Sequence, residues 1–272
     1  MLHGHSGYHI TANDDLVVKL SLGDKRKSDM LRAQAEKQRN FRNTTLRAPL
    51  VLEEFDSADG ESYGFAMERI FGTHPLASDR PLHVYETLAA YIAQCVANAD
   101  LVHVPAEVFS SKLEEVYAAI CANPVIKDPS AFLPAKDVCA HHFSEGAYLP
   151  LGEFHGDLTL CNVIVENDSE EVYLIDFLDR FIPSPLFDMV KLRQDTYHRW
   201  ISLFAAADER ALDFADDYFH SRFSVFDCYR DHYAMASVLS LLRIVPYVTQ
   251  PVVADFLLRA VKHAHATSYM RR

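Results

Sequence analysis

The sequence predicts an α+β fold in two lobes. A small β-rich lobe with one helix spans residues 1–70, and a larger, mainly helical lobe spans 71–272. Three observations carry this reading. The first seventy residues are strand-rich with one helix, beginning with a short β-branched run between polar turns. Apolar residues at helical spacing dominate the chain beyond Gly72. One compact loop–strand–turn–strand unit, Phe154 to Phe177, interrupts the helices.

Each element has its own signal. Leu16-Val17-Val18-Lys19-Leu20 is a β-branched run bounded by Asn13-Asp14-Asp15 and Gly23-Asp24, which reads as a strand between turns. Ser28 to Asn43 is rich in Arg, Ala, Gln, Glu and Lys and places Leu31, Ala35 and Gln38 on one side, which reads as a helix. Pro49 to Leu52 and Gly64 to Met67 read as two more strands, separated by the turn Asp56-Ser57-Ala58-Asp59-Gly60. Tyr85, Leu88, Ala89, Ile92, Cys95, Val96 and Ala99 recur at helical spacing, so a long amphipathic helix is expected over Pro81 to His103. Further helices are expected over Pro105 to Ala122 and Ser130 to Gly146. Ser184-Pro185 reads as an N-cap with proline in the first turn, opening a helix through Trp200. Three more lie near Asp208–Phe219, Asp227–Val245 and Val252–Ser268.

Composition narrows the class. The chain of 272 residues is 49% apolar and carries a formal charge of −12, which fits a globular domain and argues against a nucleic-acid binder. Five cysteines, an odd number without CxxC spacing, suggest neither a disulfide framework nor a zinc site and point to the cytoplasm. No apolar run approaches a membrane span, and the N-terminal residues lack the pattern of a secretory leader, so no membrane association is expected. The sequence carries no signal for oligomeric state.

The chemistry concentrates in Phe154-His155-Gly156-Asp157-Leu158-Thr159-Leu160-Cys161-Asn162, followed by Val172-Tyr173-Leu174-Ile175-Asp176-Phe177. The pattern is HGDxxxxN, a short strand, the polar turn Glu166-Asn167-Asp168, and a second strand ending in Asp. Phosphoryl transfer requires one carboxylate beside the attacking hydroxyl, and an amide oxygen and a second carboxylate to hold Mg²⁺ against nucleotide phosphates. A loop bearing Asp and Asn five apart, backed by a hairpin that returns another Asp, is suited to supply all three.

These residues resemble those of the aminoglycoside phosphotransferase and choline kinase superfamily, relatives of the protein kinases. The His-Gly-Asp-Leu-Thr loop and the Ile-Asp-Phe-Leu-Asp strand are similar to its branch linked to capsule or surface-polysaccharide biosynthesis. The resemblance implies a bilobal protein-kinase-like fold and transfer of the γ-phosphate of ATP, or another nucleoside triphosphate, to a hydroxyl of a small molecule. Sugars, polyols, amino alcohols and aminoglycosides are the acceptor classes it suggests. It assigns Asp157 as catalytic base, His155 as the residue orienting the loop, and Asn162 and Asp176 as Mg²⁺ ligands.

The same resemblance extends to the small lobe. Lys19 takes the role of the strand lysine that bridges the nucleotide phosphates, and Glu36 that of the helix acid holding it, with Gln34 and Gln38 as competitors. Met67 is expected behind the adenine, and Glu68, Arg69 and Ile70 to offer it backbone hydrogen bonds. Gly4, Ser6 and Gly7 stand where a phosphate-covering loop would lie. Asp188 resembles the acid that supports the catalytic loop from below. Cys161, inside that loop, reads as a packing residue. The alternatives are a catalytically weak nucleotide-binding module of the same fold, or a protein kinase.

Overall fold

The computed structural model describes residues 2–3, 8–179, 181–204 and 206–269. Along the chain, β1 (Leu2–His3), β2 (His9–Ala12) and β3 (Leu16–Ser21) lead into α1 (Lys25–Asn40). Then come β4 (Leu46–Arg47), β5 (Val51–Asp56), β6 (Tyr63–Glu68), β7 (Gly72–Thr73) and α2 (Pro81–Asn98). The strand β8 (Asp100–Val104) and helices α3 (Ala106–Ala122) and α4 (Leu133–His142) precede β9 (Ala147–Leu151). The hairpin β10 (Val163–Glu166) and β11 (Val172–Leu174) is followed by α5 (Pro185–Thr196), α6 (Glu209–Phe223), α7 (Asp227–Leu242) and α8 (Pro251–Tyr269).

These elements form two units, residues 1–93 with 155–183, and residues 94–154 with 184–272. The first holds an antiparallel sheet in the order β1-β2-β3-β6-β5, with Lys19 opposite Phe65 across β3 and β6. Helix α1 starts at Asp24, whose side chain accepts from the Lys27 N–H. It lays Ser28, Leu31, Gln34, Ala35 and Gln38 inward, and Leu31 and Ala35 join Tyr8, Tyr63 and Phe65 in a common core. A second sheet, β4-β11-β10-β7, is built around the β10–β11 hairpin. Val163 pairs with Leu174, Val165 with Thr73 across to β7, and Val172 with Leu46 of β4.

The second unit is mainly helical. Helix α5 opens as expected, with the Ser184 side chain accepting from the Leu186 N–H and Pro185 in the first turn, and every one of its residues is buried. Its Arg193 grips the Asp216 carboxylate through Nε at 2.8 Å and Nη2 at 2.6 Å, and Nη1 donates to the Tyr229 hydroxyl at 2.6 Å. A buried arginine is tolerated where its fork is satisfied in this way. Among the described residues, no helix is long and apolar enough to cross a membrane.

The structure redraws three expectations. The division expected at residue 70 does not coincide with either unit, because β10 and β11 pair with β7 and β4 and so tie the later hairpin to the N-terminal residues. The long helix expected through His103 ends at Asn98. Asp100 to Val104 instead pairs antiparallel with Ala147 to Leu151, a strand not foreseen. The helix expected through Trp200 ends at Thr196, and Arg199 adopts a left-handed φ of 60° that stops further helix.

Candidate active site

The loop from His155 to Asn162 is shaped by its own side chains. Gly156 sits at φ +98°, a conformation open to glycine and strained for other residues. His155 is fully buried. Its Nε2 lies 2.9 Å from the Ile175 carbonyl, and the Asp157 N–H donates to Nδ1 at 3.2 Å. That pattern assigns Nε2–H as a donor and leaves the ring neutral. Burial pushes its pKa down to about 4, against the opposing pull of the Asp157 and Asp176 carboxylates, so the ring stays neutral at pH 7. His155 thus ties the loop to the end of β11.

Asn162 closes the loop. Its Nδ2 donates to the Asp157 carbonyl at 2.8 Å and lies 3.3 Å from Asp157 Oδ2. This assigns Oδ1 as the amide's acceptor, and among the described residues it has no partner. The Ile175 N–H donates to the Asn162 carbonyl at 3.0 Å, which ties the loop to the residue before Asp176.

Asp176 has φ 65°, in the left-handed region that Asp tolerates better than most side chains. Its Oδ1 forms a hydrogen-bonded ion pair with Lys19 Nζ. Lys19 is 4% exposed and lies across the Tyr8 ring, 5.1 Å from its centroid. The Tyr8 hydroxyl is correspondingly hard to ionise, through burial first and the Asp176 charge second. Lys19, Asp157, Asn162 and Asp176 therefore belong to one unit, and direct contacts link Lys19 to Asp176 and Asn162 to Asp157.

Glu36 does not hold the lysine. It is exposed, and Gln34 accepts from Lys19 Nζ at 3.0 Å. The helical phase explains this correction, since two residues turn a side chain by about 200° and carry Glu36 away from the buried stripe of Gln34 and Gln38. Gln38 instead donates to the Pro49 carbonyl at 2.8 Å and to Met67 Sδ at 3.3 Å, which fixes the half-buried Met67 side chain.

Two of the three backbone donors expected to read a base are already used. The Glu68 N–H donates to the Leu50 carbonyl at 3.0 Å and the Arg69 N–H to the Asp15 carbonyl at 2.9 Å. The Ile70 N–H has no partner among the described residues. Gly4, Ser6 and Gly7 lie outside the described residues. Asp188, in the first turn of α5, is 1% exposed. Cys161 is exposed rather than packed as expected, because the short 3₁₀ turn at Leu160–Asn162 directs Leu160 inward instead. Tyr8 over Lys19 and Lys37 beyond Asp176 were not foreseen. The Lys37 contact joins residues 141 positions apart, the Tyr8 contact joins the residue before β2 to the neighbouring strand β3, and neither carries a local motif.

The site offers hard oxygens for a divalent cation. Asn162 Oδ1 and Asp176 Oδ2 are the candidates, both without partners among the described residues, and amide and carboxylate oxygens suit Mg²⁺.

No family model matches this chain, and no curated protein matches it. Solved structures do. The aminoglycoside phosphotransferase APH(3'')-Id from Streptomyces rimosus, in complex with ADP and streptomycin, is 19% identical with a TM-score of 0.55, over 88% of this chain and 94% of that one. A thermostable mutant of aminoglycoside phosphotransferase APH(4)-Ia, in a ternary complex with AMP-PNP and hygromycin B, is 15% identical with a TM-score of 0.61, over 96% of this chain and 95% of that one. The GDP and kanamycin complex of APH(2")-IIIa is 13% identical with a TM-score of 0.61, over 96% and 90%. Together with the two-unit α+β architecture, these likenesses establish that this chain has the aminoglycoside-phosphotransferase fold.

Proposed function

We propose that this protein is a phosphotransferase that moves the γ-phosphate of a nucleoside triphosphate, ATP in the first instance, to a hydroxyl of a small molecule. The observation that carries the reading is the gathering of Lys19, Asp157, Asn162 and Asp176 into one unit, with a neutral, buried His155 holding the loop in place. The fold is shared with proteins crystallised with ADP, AMP-PNP or GDP and with an aminoglycoside, which supports both a nucleotide and a small hydroxylated acceptor.

Each residue has a chemical task in this reading. Asp157 orients the acceptor hydroxyl and takes its proton as the oxygen bonds to the γ-phosphorus and the bond to the β,γ-bridging oxygen breaks. Lys19 compensates charge on the nucleotide phosphates. Asn162 and Asp176 would hold Mg²⁺, which when bound supplies charge neutralisation at the phosphates. The Ile70 N–H is the hinge donor left for the base, with Met67 held by Gln38 nearby in the chain.

A peptide acceptor is disfavoured by the chain itself. Only residues 177–184 separate Asp176 from α5, and Pro183 stiffens them, which leaves little chain for a peptide-docking platform. The test is ADP release by the full chain with ATP and Mg²⁺ across a panel of sugars, polyols, amino alcohols and aminoglycosides, without any protein substrate. Asp157→Asn should retain nucleotide affinity and lose roughly 10²–10⁴-fold in turnover. Near-normal turnover in that variant, with chemistry rate-limiting, would refute the assignment of Asp157. Efficient phosphorylation of a protein with no activity on the panel would overturn the choice of acceptor.

A further inference from the structure

Helix α1 touches the segment beyond Asp176 through a side chain that no family motif marks. Lys37 lies one turn beyond Gln34. Its Nζ donates to the Leu178 carbonyl at 2.7 Å and stands 3.4 Å from Asp179 Oδ1. The Lys37 side chain is 19% exposed and that of Asp179 is 68% exposed. An ion pair with so exposed an acid contributes little, so the charge-assisted bond to the carbonyl is the stronger contact.

Leu178 is held from the other side as well. Its N–H donates to the His155 carbonyl at 3.0 Å. The catalytic loop therefore pins the N–H of this residue, and α1 pins its C=O. The pinned residue lies two beyond Asp176, whose left-handed φ of 65° persists only if the surrounding structure over-determines it. Gln34, one turn earlier on the same helix, holds the lysine that pairs with Asp176. One helix thus fixes both the cation facing the Asp176 carboxylate and the turn that presents that carboxylate.

We infer that Lys37 is a positioning residue for the metal- and phosphate-binding site: by fixing the Leu178 carbonyl it holds the turn at Asp176 that presents the carboxylate to Lys19 and the cation. The inference rests on the phosphotransfer reading. The plain alternative is a surface lysine that adds only general stability, and the two differ in metal dependence.

The experiment is calorimetric titration of the full chain with a non-hydrolysable ATP analogue, with and without Mg²⁺, alongside turnover. Lys37→Met should weaken the Mg²⁺-dependent part of binding roughly 10–100-fold, the range found when partners behind a metal ligand are removed. Binding of the analogue without Mg²⁺ should be unchanged. Lys37→Arg, which keeps a charged donor, should recover most of the loss, and Asp179→Asn should behave as the parent. An unchanged Mg²⁺ dependence in Lys37→Met, or an equal loss in Asp179→Asn, overturns the inference and leaves the phosphotransfer reading intact. If Lys37→Met does not fold, Lys37→Arg decides, since a metal affinity as weak as that of Asp176→Ala would overturn the inference. A parent protein that binds no Mg²⁺–nucleotide overturns the phosphotransfer reading and this inference together.

Discussion

Lys19 is buried against a neutral amide where a carboxylate was expected, and that decides where its charge goes. Among the described residues its anionic partner is Asp176, and Gln34 supplies only a dipole. In the phosphotransfer reading, once the Asp176 carboxylate turns to a cation, the full charge of Lys19 is offered to the phosphates. Gln34→Glu would place a permanent anion at that point. Unit charges about 8 Å apart interact by about 2 kcal/mol at an effective dielectric of about 20. The apparent Michaelis constant for ATP should therefore rise, by roughly thirty-fold, with a smaller change in turnover. Kinetics unchanged over an ATP series would show that Lys19 does not face the phosphates. The residues carrying this chemistry were unequally legible. Asp157 and Asn162 share one loop and Asp176 ends the next hairpin, so spacing suggested that they share one centre, and the resemblance supplied their individual roles. Gln34 and Glu36 differ by two positions on a helix whose phase depends on the burial of Gln38, itself a polar residue. The stripe of Leu31, Ala35 and Gln38 already sets Glu36 off the buried face, and only the resemblance, which calls for an acid there, favoured it.

At the scale of elements, the loop is only as well placed as the hairpin behind it. Strand β10 runs directly from Asn162 and is flanked by β7 and β11. Gly72 of β7 faces Glu166, and a Cβ built there would lie 2.3 Å from the Val165 carbonyl oxygen and 2.4 Å from Ile164 Cγ2. The first of these is backbone and has little room to yield. Gly72→Val should push β7 away from β10, costing roughly 1–3 kcal/mol, the usual range for a clash of this kind. The melting temperature should fall by several degrees and turnover should fall with it. Wild-type melting and activity in that variant would refute the close approach. Strand β3 was readable as a β-branched run between turns, and β5 and β6 by the polar turn between them, whereas the short strands β1, β2, β4 and β7 carry too few residues to show a pattern. Strand β8 was not readable either. Leu101, Val102 and Val104 continue the apolar content of α2, and only pairing with β9, more than forty positions on, makes the segment a strand.

For the molecule as a whole, the architecture was legible in kind and not in its boundaries. A reading that moves along the chain divides it once, whereas each unit here gathers two separate stretches through pairing and packing between distant residues. Each unit also encloses a buried histidine. In the first it is His155, lowered by burial to about 4. In the second it is His198, lowered to about 3 by burial and then by Arg193, with Nε2 lying 2.9 Å from the Ser237 hydroxyl. Both are neutral in the folded chain above these values, and both take up a proton in the unfolded chain below an ordinary histidine pKa of about 6.5. Between those limits the unfolded state binds more protons than the folded one. Stability therefore rises with pH across this window and is lost on acidification, each histidine contributing about 1.4 kcal/mol per pH unit at full slope. His198 tests this without touching the candidate active site. At pH 5.5 an unfolded histidine is almost fully protonated, so His198→Gln should take up about one proton fewer on unfolding than the parent protein. The slope of its unfolding free energy against pH between 5.5 and 4.5 should be shallower by about 1.4 kcal/mol per pH unit. Equal proton uptake by the two proteins would mean that His198 is already charged in the folded state, and the Ser237 contact would then have to be that of an imidazolium.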